Sequence, residues 1–387
     1  MAMTPHDSPV HETTTPAMRR ARLLIDGTWC HGDAGQVDVV DKYSGAVIGR
    51  AERASRVQVD AAIASAQRSF ANTPLDAQQR FEWMRRTAAL VEQHKAELAA
   101  LICAEGGLPI TDATNEVART AQTFLVSAEE AKRLVGEMVP IDAAPGQAHR
   151  MAYTLRVPRG VVCGITSFNS PLNMVAHKVA PALASGNTVV VKPPELAPLS
   201  ATRLCELLIA AGGPPSHVQL VHGPGADLGT WLVEHPGIAF YTFTGSTRVG
   251  QWLHDRVGLR PVALELGSIA ATIVADDADL DRAAARCAAS GFRRAGQMCT
   301  STQRLFVDAR VLNDFTARFL AVVRALKVGD PHDPATDVGP MISEREAARA
   351  EAWVAQAVAG GATLLEGGRR EGALFYPTVL TRVAGDM

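Results

Sequence analysis

From about Ser55 the apolar positions recur with a helical period: Val59, Ile63, Ala66 and Phe70 fall on one face. The start reads S-x-x-Q, so Ser55 and Gln58 can satisfy each other's free amide donors. A second start of this kind, Asp76 with Gln79, opens an alanine-rich amphipathic run to about Glu105. After a Gly-Gly-Leu-Pro break, a third helical segment is expected over 111–135. Beyond Gly136 the period changes: EMVPIDAAPGQAHRMAYTLRVPRG alternates around a Pro-Gly turn, which predicts a projecting hairpin. Short β-branched runs at 161–165, 188–191, 218–221 and 238–243 are each followed by a helical stretch, predicting β-α-β units, a parallel sheet and helices on both its faces. A further alternation, from Val262 through Val274 and 305–307 to a helix over 311–326, predicts a second α/β domain. The expected class is a doubly wound α/β fold, whose ligands bind beyond the carboxyl ends of the strands.

Composition narrows what such a fold could do. The 387 residues are enough for two or three domains, and a formal net charge of −2 provides no field of one sign to attract nucleic acid or an anionic membrane. No window approaches about eighteen consecutive apolar residues, so no membrane span is expected. The six cysteines include no C-x-x-C pair and lie in apolar runs, the pattern of reduced thiols in a cytoplasmic protein. Residues 1–22, rich in Pro, Thr and His, read as a mobile tail without a signal-peptide core. There is no P-loop, H-E-x-x-H or G-x-S-x-G motif, and the eleven histidines form no ligand-like cluster, so no metal is expected.

Several residues at strand ends could carry chemistry. VHGPGADLG places Gly223, Gly225 and Gly229 between a strand and a helix but misses the G-x-G-x-x-G spacing by one, and a plain turn would look the same. YTFTGSTRVG again puts glycine and hydroxyls at a strand end, with a helix starting near Ser246 whose free amides could hold a phosphate. In NTVVVKPPELAP, Lys192 and Glu195 are either a solvated strand exit or ribose contacts, and a carboxylate there repels a 2′-phosphate, favouring NAD over NADP. In GITSFNSPLN, Asn169 is either a turn former or an amide donor toward developing negative charge. In VALELGS, Glu265 stands in an apolar strand, where a carboxylate is either paired or desolvated and used as a base. GFRRAGQMCTSTQR carries Cys299; a cysteine is more often an inert small hydrophobe than a nucleophile.

Taken together and in order, PRGVVCGITSFNSPLN, GNTVVVKPPELAPLSA, FTGSTRVGQ, LELG and FRRAGQMCTSTQRLFV resemble the aldehyde dehydrogenase superfamily, from about Leu23 onward. The resemblance implies an NAD-binding domain over 23–136 and 158–264, an oligomerisation hairpin over 137–157 and a catalytic domain from 265. It implies Cys299 as nucleophile, Glu265 as general base, and Asn169 with the Cys299 backbone amide as oxyanion hole. Lys192 and Glu195 take the adenosine ribose, Gly245 and Ser246 the pyrophosphate, and Thr166, Ser167, Gly225, Phe243 and Leu266 complete the cofactor contacts. An aldehyde cannot give up hydride while its carbon is trigonal, so a thiolate would add first, NAD would accept the hydride, and Glu265 would activate water against the thioester. Transfer of the thioester to coenzyme A is disfavoured by a carboxylate in the base position.

Departures from the family pattern set further expectations. After Gly267 the chain reads Ser268-Ile269, where the family usually has Gly-Lys. His177 stands where many members carry an aromatic in the substrate funnel, and Arg293 and Arg294 precede the nucleophile. A small polar or anionic aldehyde is therefore expected as substrate, against the alternative that both arginines face solvent. The chain stops before the family's E-x-F-G-P motif, so residues 265–387 are expected to be an incomplete catalytic domain. The alternative to an active enzyme is a truncated remnant that retains nucleotide or partner binding. The full-length family form is expected to be a homodimer or homotetramer.

Overall fold

The computed structural model describes residues 18–385 and Met387. Both helix-start signals are realised as capping boxes: Ser55 caps α1 (Arg56–Asn72) and Asp76 caps α2 (Ala77–Gln93). The run expected to continue to Glu105 breaks at His94, whose Nδ1 contacts Glu97 at 3.0 Å, and resumes as α3 (Lys95–Gly106). Gly107 ends α3 in a left-handed conformation, φ 72°, which glycine adopts without the cost of a Cβ. Then follow α4 (Ile110–Ala131), α5 (Pro171–Ala184), α6 (Leu199–Ala210), α7 (Leu228–Glu234) and α8 (Thr247–Arg256).

The central sheet has seven strands: β1 (Leu23–Ile25), β2 (Thr28–Cys30), β3 (Val161–Ile165), β4 (Thr188–Lys192), β5 (Val218–Leu220), β6 (Phe240–Thr244) and β7 (Val262–Glu265). Their order is β7-β6-β3-β4-β5-β1-β2; the first five are parallel, while β1 and β2 add antiparallel at one edge. Both faces are covered, as the apolar runs require. Val189 and Val191 pack into a cluster with Trp83, Phe124 and Leu204, while Val190 points the other way, toward Ile63, Tyr241 and Leu253. The order reverses between β3 and β6, so the carboxyl ends of these two strands open on a crevice.

Beyond the sheet, β8 (Ala271–Val274) pairs in parallel with β9 (Arg304–Val307), and α9 (Leu280–Phe292) and α10 (Leu312–Ala325) bury a small core of Cys287, Phe315 and Phe319 against them. Helix α11 (Glu344–Ala359) follows. Between 137 and 157, Met138–Val139 pairs antiparallel with Ala152–Tyr153, and Met138, Met151 and Tyr153 are exposed.

One part of the expected tail is structured. Residues 1–17 lie outside the described residues, but Arg19–Ala21 runs parallel to Gly49–Ala51, because Ala21 is wholly buried against Leu101 and Leu199. The loop before α11 reaches back to this N-terminal part: His332 Nε2 contacts Asp41 Oδ2 at 3.0 Å, its Nδ1 faces Cys103 Sγ at 3.5 Å, and Pro331 accepts from the Ile110 N–H at 2.8 Å.

Glu105 joins α3 to α6. Its carboxylate accepts the backbone N–H groups of Leu199 and Ser200, each at 2.7 Å, supplying in the interior the partners that the first turn of α6 lacks. Burial pushes its pKa up to about 7, against which these donors pull. Glu105→Ala leaves both donors unpaired and is expected to cost about 2 kcal/mol or more. A urea titration would show a lower midpoint at unchanged slope; an unmoved midpoint would refute this role.

Candidate active site

The carboxyl ends of β3, β6 and β7 and the loop after α9 wall a cavity of about 900 Å³. Ser167 and Asn169 enter it from β3, Thr244, Gly245 and Ser246 from β6, Leu266 from β7, and Cys299 from the loop. Trp353 of α11 lines its far side.

Cys299 differs from the other cysteines in exposure. Cys103, Cys163, Cys205 and Cys287 are buried, and burial pushes the first three up to about 12. Cys30 is half-buried with a raised pKa, whereas Cys299 is exposed at the cavity wall.

The loop bearing Cys299 is held by polar contacts on both sides. Arg294 and Ala295 adopt left-handed φ of 53° and 55°, a conformation costing about 1 kcal/mol or more per residue without glycine. The compensation lies in the Arg294 side chain. Its guanidinium is almost wholly buried, donates to Asn169 O and Ser170 Oγ, and pairs with the equally buried Glu116 at 3.1 Å. Glu116 in turn accepts from the N–H groups of Leu172 and Asn173 at the start of α5, at 3.0 and 3.1 Å. Gln297 completes the anchorage: its carbonyl accepts from Asn169 Nδ2 at 2.7 Å, and its side chain bridges Arg294 O and the Ile342 N–H, each at 3.0 Å.

The strand ends carry the remaining residues named from the sequence. Ser167 Oγ donates to Asn169 Oδ1 at 2.8 Å and fixes the amide orientation, while Thr166 Oγ1 is buried without a partner among the described residues. Gly245 lies over the Phe243 ring, where a Cβ would meet the ring at 2.4 Å, and Ser246 caps α8. The other glycine turn is different. Gly225 is exposed outside the cavity and precedes the seven-residue α7, which has Asp227 at its start. Lys192 is buried at the end of β4, and burial lowers it to about 8 although Glu195 opposes the shift. Glu195 is half-exposed and pairs with Arg53 at 3.2 Å.

Three expectations meet a different environment. Glu265 is neither desolvated nor paired: β7 is the edge strand, alternate residues face outward, and the Glu265 carboxylate is exposed, without an ion pair among the described residues. His177 is exposed on α5 and lines a second groove of about 860 Å³ with Phe240, Thr242 and Ala263, away from the Cys299 cavity. Neither arginine is simply solvated: Arg294 is the buried anchor, and Arg293 lines the cavity but pairs with Asp112 at 2.7 Å.

Two further residues, Lys178 and Arg119, line these grooves and belong to none of the motifs above. Lys178 is buried on α5, its pKa lowered by burial and raised by the facing Glu265; a lysine inside the apolar run MVAHKVAPALA was the available signal. Arg119 is exposed on α4, lines the Cys299 cavity and has no carboxylate partner among the described residues, and nothing in its sequence neighbourhood marked it.

Comparison with known proteins gives one answer. The aldehyde dehydrogenase family matches residues 29–387. The 3-sulfolactaldehyde dehydrogenase of Priestia aryabhattai is 42% identical over 375 residues, covering 97% of this chain and 78% of that protein. Among solved structures, the NADP-dependent glyceraldehyde-3-phosphate dehydrogenase of Bacillus halodurans, complexed with NADP, superposes with a TM-score of 0.91 at 37% identity over 96% of this chain and 78% of its own. The NAD-dependent aldehyde dehydrogenase of Sinorhizobium meliloti does so with a TM-score of 0.92 at 34% identity, over 95% and 75%.

Two outcomes are expected from the geometry of the loop. Brief treatment with iodoacetamide followed by peptide mass mapping labels Cys299 at least tenfold faster than Cys103, Cys163 or Cys205; equal labelling would contradict the exposure difference. Arg294→Ala strands the buried Glu116 carboxylate and costs about 3–5 kcal/mol, read as a lowered denaturation midpoint. A midpoint within 0.5 kcal/mol of the parent, a threshold of about the size of a surface substitution, would show that the anchor is dispensable.

Proposed function

The chain belongs to the aldehyde dehydrogenase family, and from that premise we propose that it oxidises a short anionic aldehyde to the carboxylic acid, with a nicotinamide dinucleotide as hydride acceptor. The observation that carries this reading is the convergence of Cys299, Asn169 and the Gly245-Ser246 turn on one cavity.

The residues present fit the dinucleotide. Lys192 offers a buried cation, Glu195 an acceptor beside it, Ser246 a capped helix start for phosphate, and Thr166 Oγ1 a buried hydroxyl lacking a partner. When bound, that group supplies the acceptor for the hydride. The rest is assigned to the chain's own side chains. Cys299 Sγ loses its proton to solvent and, as the thiolate, adds to the carbonyl carbon; the C=O π bond opens and leaves a tetrahedral oxyanion. Asn169 Nδ2 has two N–H groups, one committed to Gln297 O, and the other is assigned to that oxyanion together with the Cys299 backbone N–H. Once Cys299 carries the thioester, Glu265 takes a proton from water, whose oxygen attacks the acyl carbon; the C–S bond breaks, and the proton held by Glu265 passes to the departing sulfur, leaving acid and thiol.

The charge of the substrate follows from the cations at the cavity. Arg293 shares its charge with Asp112 and Arg349 with Glu346, which leaves Arg119 as the group assigned to the substrate anion. By their names, two relatives act on 3-sulfolactaldehyde and glyceraldehyde-3-phosphate, both short aldehydes bearing an anion. Assembly through the projecting hairpin into a homodimer or homotetramer is part of the same proposal.

The purified protein is expected to show kcat/KM at least tenfold higher for 3-sulfolactaldehyde or glyceraldehyde-3-phosphate than for hexanal. Turnover should vanish in Cys299→Ala, and Arg119→Gln should raise KM for the anionic substrate alone. A preference for hexanal would overturn the substrate class. Retained nucleotide binding with no turnover of any aldehyde would favour a non-catalytic remnant.

A further inference from the structure

A carboxylate beside the adenosine ribose favours NAD because it accepts from the 2′-hydroxyl and repels a 2′-phosphate. In this chain Glu195 is not an isolated charge. Arg53, on the segment that follows the strand Val47–Glu52 and leads into the Ser55 cap, places Nη2 at 3.2 Å from Glu195 Oε1. Both side chains are about one-third exposed, so either can move toward solvent without unfolding its surroundings. The Arg53 Nε atom is buried and has no hydrogen-bond partner among the described residues. Arg53, Glu195, Pro193, Pro194, His222 and Gly223 surround a space of about 10 Å³, the size of a single water and too small for a phosphate while the pair is closed.

The other charges around this space are accounted for. Glu52 is spent on His31, the Gly32 N–H and Gln36, at 2.9, 3.0 and 2.8 Å. His222 contacts Thr202 Oγ1 at 3.2 Å, and burial holds it neutral. Among the described residues Lys192 is bonded to no side chain, and it directs Nζ to the Pro193 carbonyl at 3.3 Å. Two cations therefore border the site against one mobile carboxylate.

Resting on the cofactor site proposed above, we propose that Arg53 makes the adenosine-ribose site tolerant of a 2′-phosphate, so that the chain binds NADP as well as NAD. With NAD, Glu195 accepts from the ribose hydroxyl and Arg53 balances its charge. With NADP, Glu195 swings outward, and the guanidinium fork, including the unused Nε–H, takes the phosphate oxygens. The closed pair is the resting state, and the incoming phosphate replaces one carboxylate partner of Arg53 with another anion.

Calorimetric titration with ADP and with 2′,5′-ADP tests this without any turnover. The unmodified protein is expected to bind the two within about tenfold of each other. Arg53→Gln should weaken 2′,5′-ADP at least tenfold and leave ADP within twofold, while Arg53→Lys, which keeps the charge but loses the fork, should fall between. Discrimination of more than a hundredfold against 2′,5′-ADP by the unmodified protein, or equal weakening of both ligands in Arg53→Gln, would overturn the role of Arg53 and leave the cofactor site standing. Failure of the unmodified protein to bind either ligand would overturn both readings.

Discussion

Glu116 sits on α4 with almost no exposure, and three parts of the molecule meet at its carboxylate. The first turn of α5 gives it two backbone N–H groups, and the loop that carries Cys299 gives it the Arg294 guanidinium. Each contact compensates for a different cost: the unpaired amides of a helix start, the desolvation of a buried cation, and the left-handed backbone at Arg294 and Ala295. Burial raises the Glu116 pKa and Arg294 pulls it back, so neither charge is tolerable in the interior alone. The position of Cys299 relative to Asn169 depends on this pair, because Arg294 grips the carbonyl of Asn169 while Asn169 grips the carbonyl of Gln297.

What was legible in the sequence is what local chemistry decides. The Ser55 and Asp76 capping boxes involve residues three apart, and β3 and β4 are runs of β-branched residues that no helix would favour, so both could be read without knowing their neighbours. The site residues lie at strand ends, where motif order located them. What could not be read is which distant groups face one another. Arg293 and Arg294 are adjacent in sequence yet serve Asp112 and Glu116, each about 180 residues away. The position of His177 on the outer side of α5, and the exposure of Glu265 on an edge strand, depend on sheet order, which apolar periodicity does not encode. The break at His94 and the pairing of Arg19–Ala21 are tertiary effects as well, since His94 and Ala21 are held by contacts with α6.

The cysteines show how environment separates identical side chains. Cys163 and Cys205 sit among valines and leucines, where a thiolate would lose its hydration without gaining a partner, and their thiols behave as small hydrophobes. Cys299 stands on a loop held by Asn169 of the β3–α5 turn through the Gln297 carbonyl and by Glu116 of α4 through the Arg294 side chain, rather than by a sheet or α-helix of its own. Exposure and rigidity are therefore combined at this position by polar anchoring, a combination that core packing could not provide.

The contacts of His332 and Pro331 with Asp41, Cys103 and Ile110 join residues more than two hundred positions apart. Their meaning is temporal as well as spatial. During synthesis the surface formed by Asp41 and α3 has no counterpart until residue 332 has left the ribosome, roughly ten seconds or more after Cys103 at about 5–20 residues per second. For that interval this surface lacks its partner, and the closing contacts must overcome a large loop entropy before they return any stability. The layer around Asp41 and α3 is thus completed late, its contacts supplied by residues made more than two hundred positions after it.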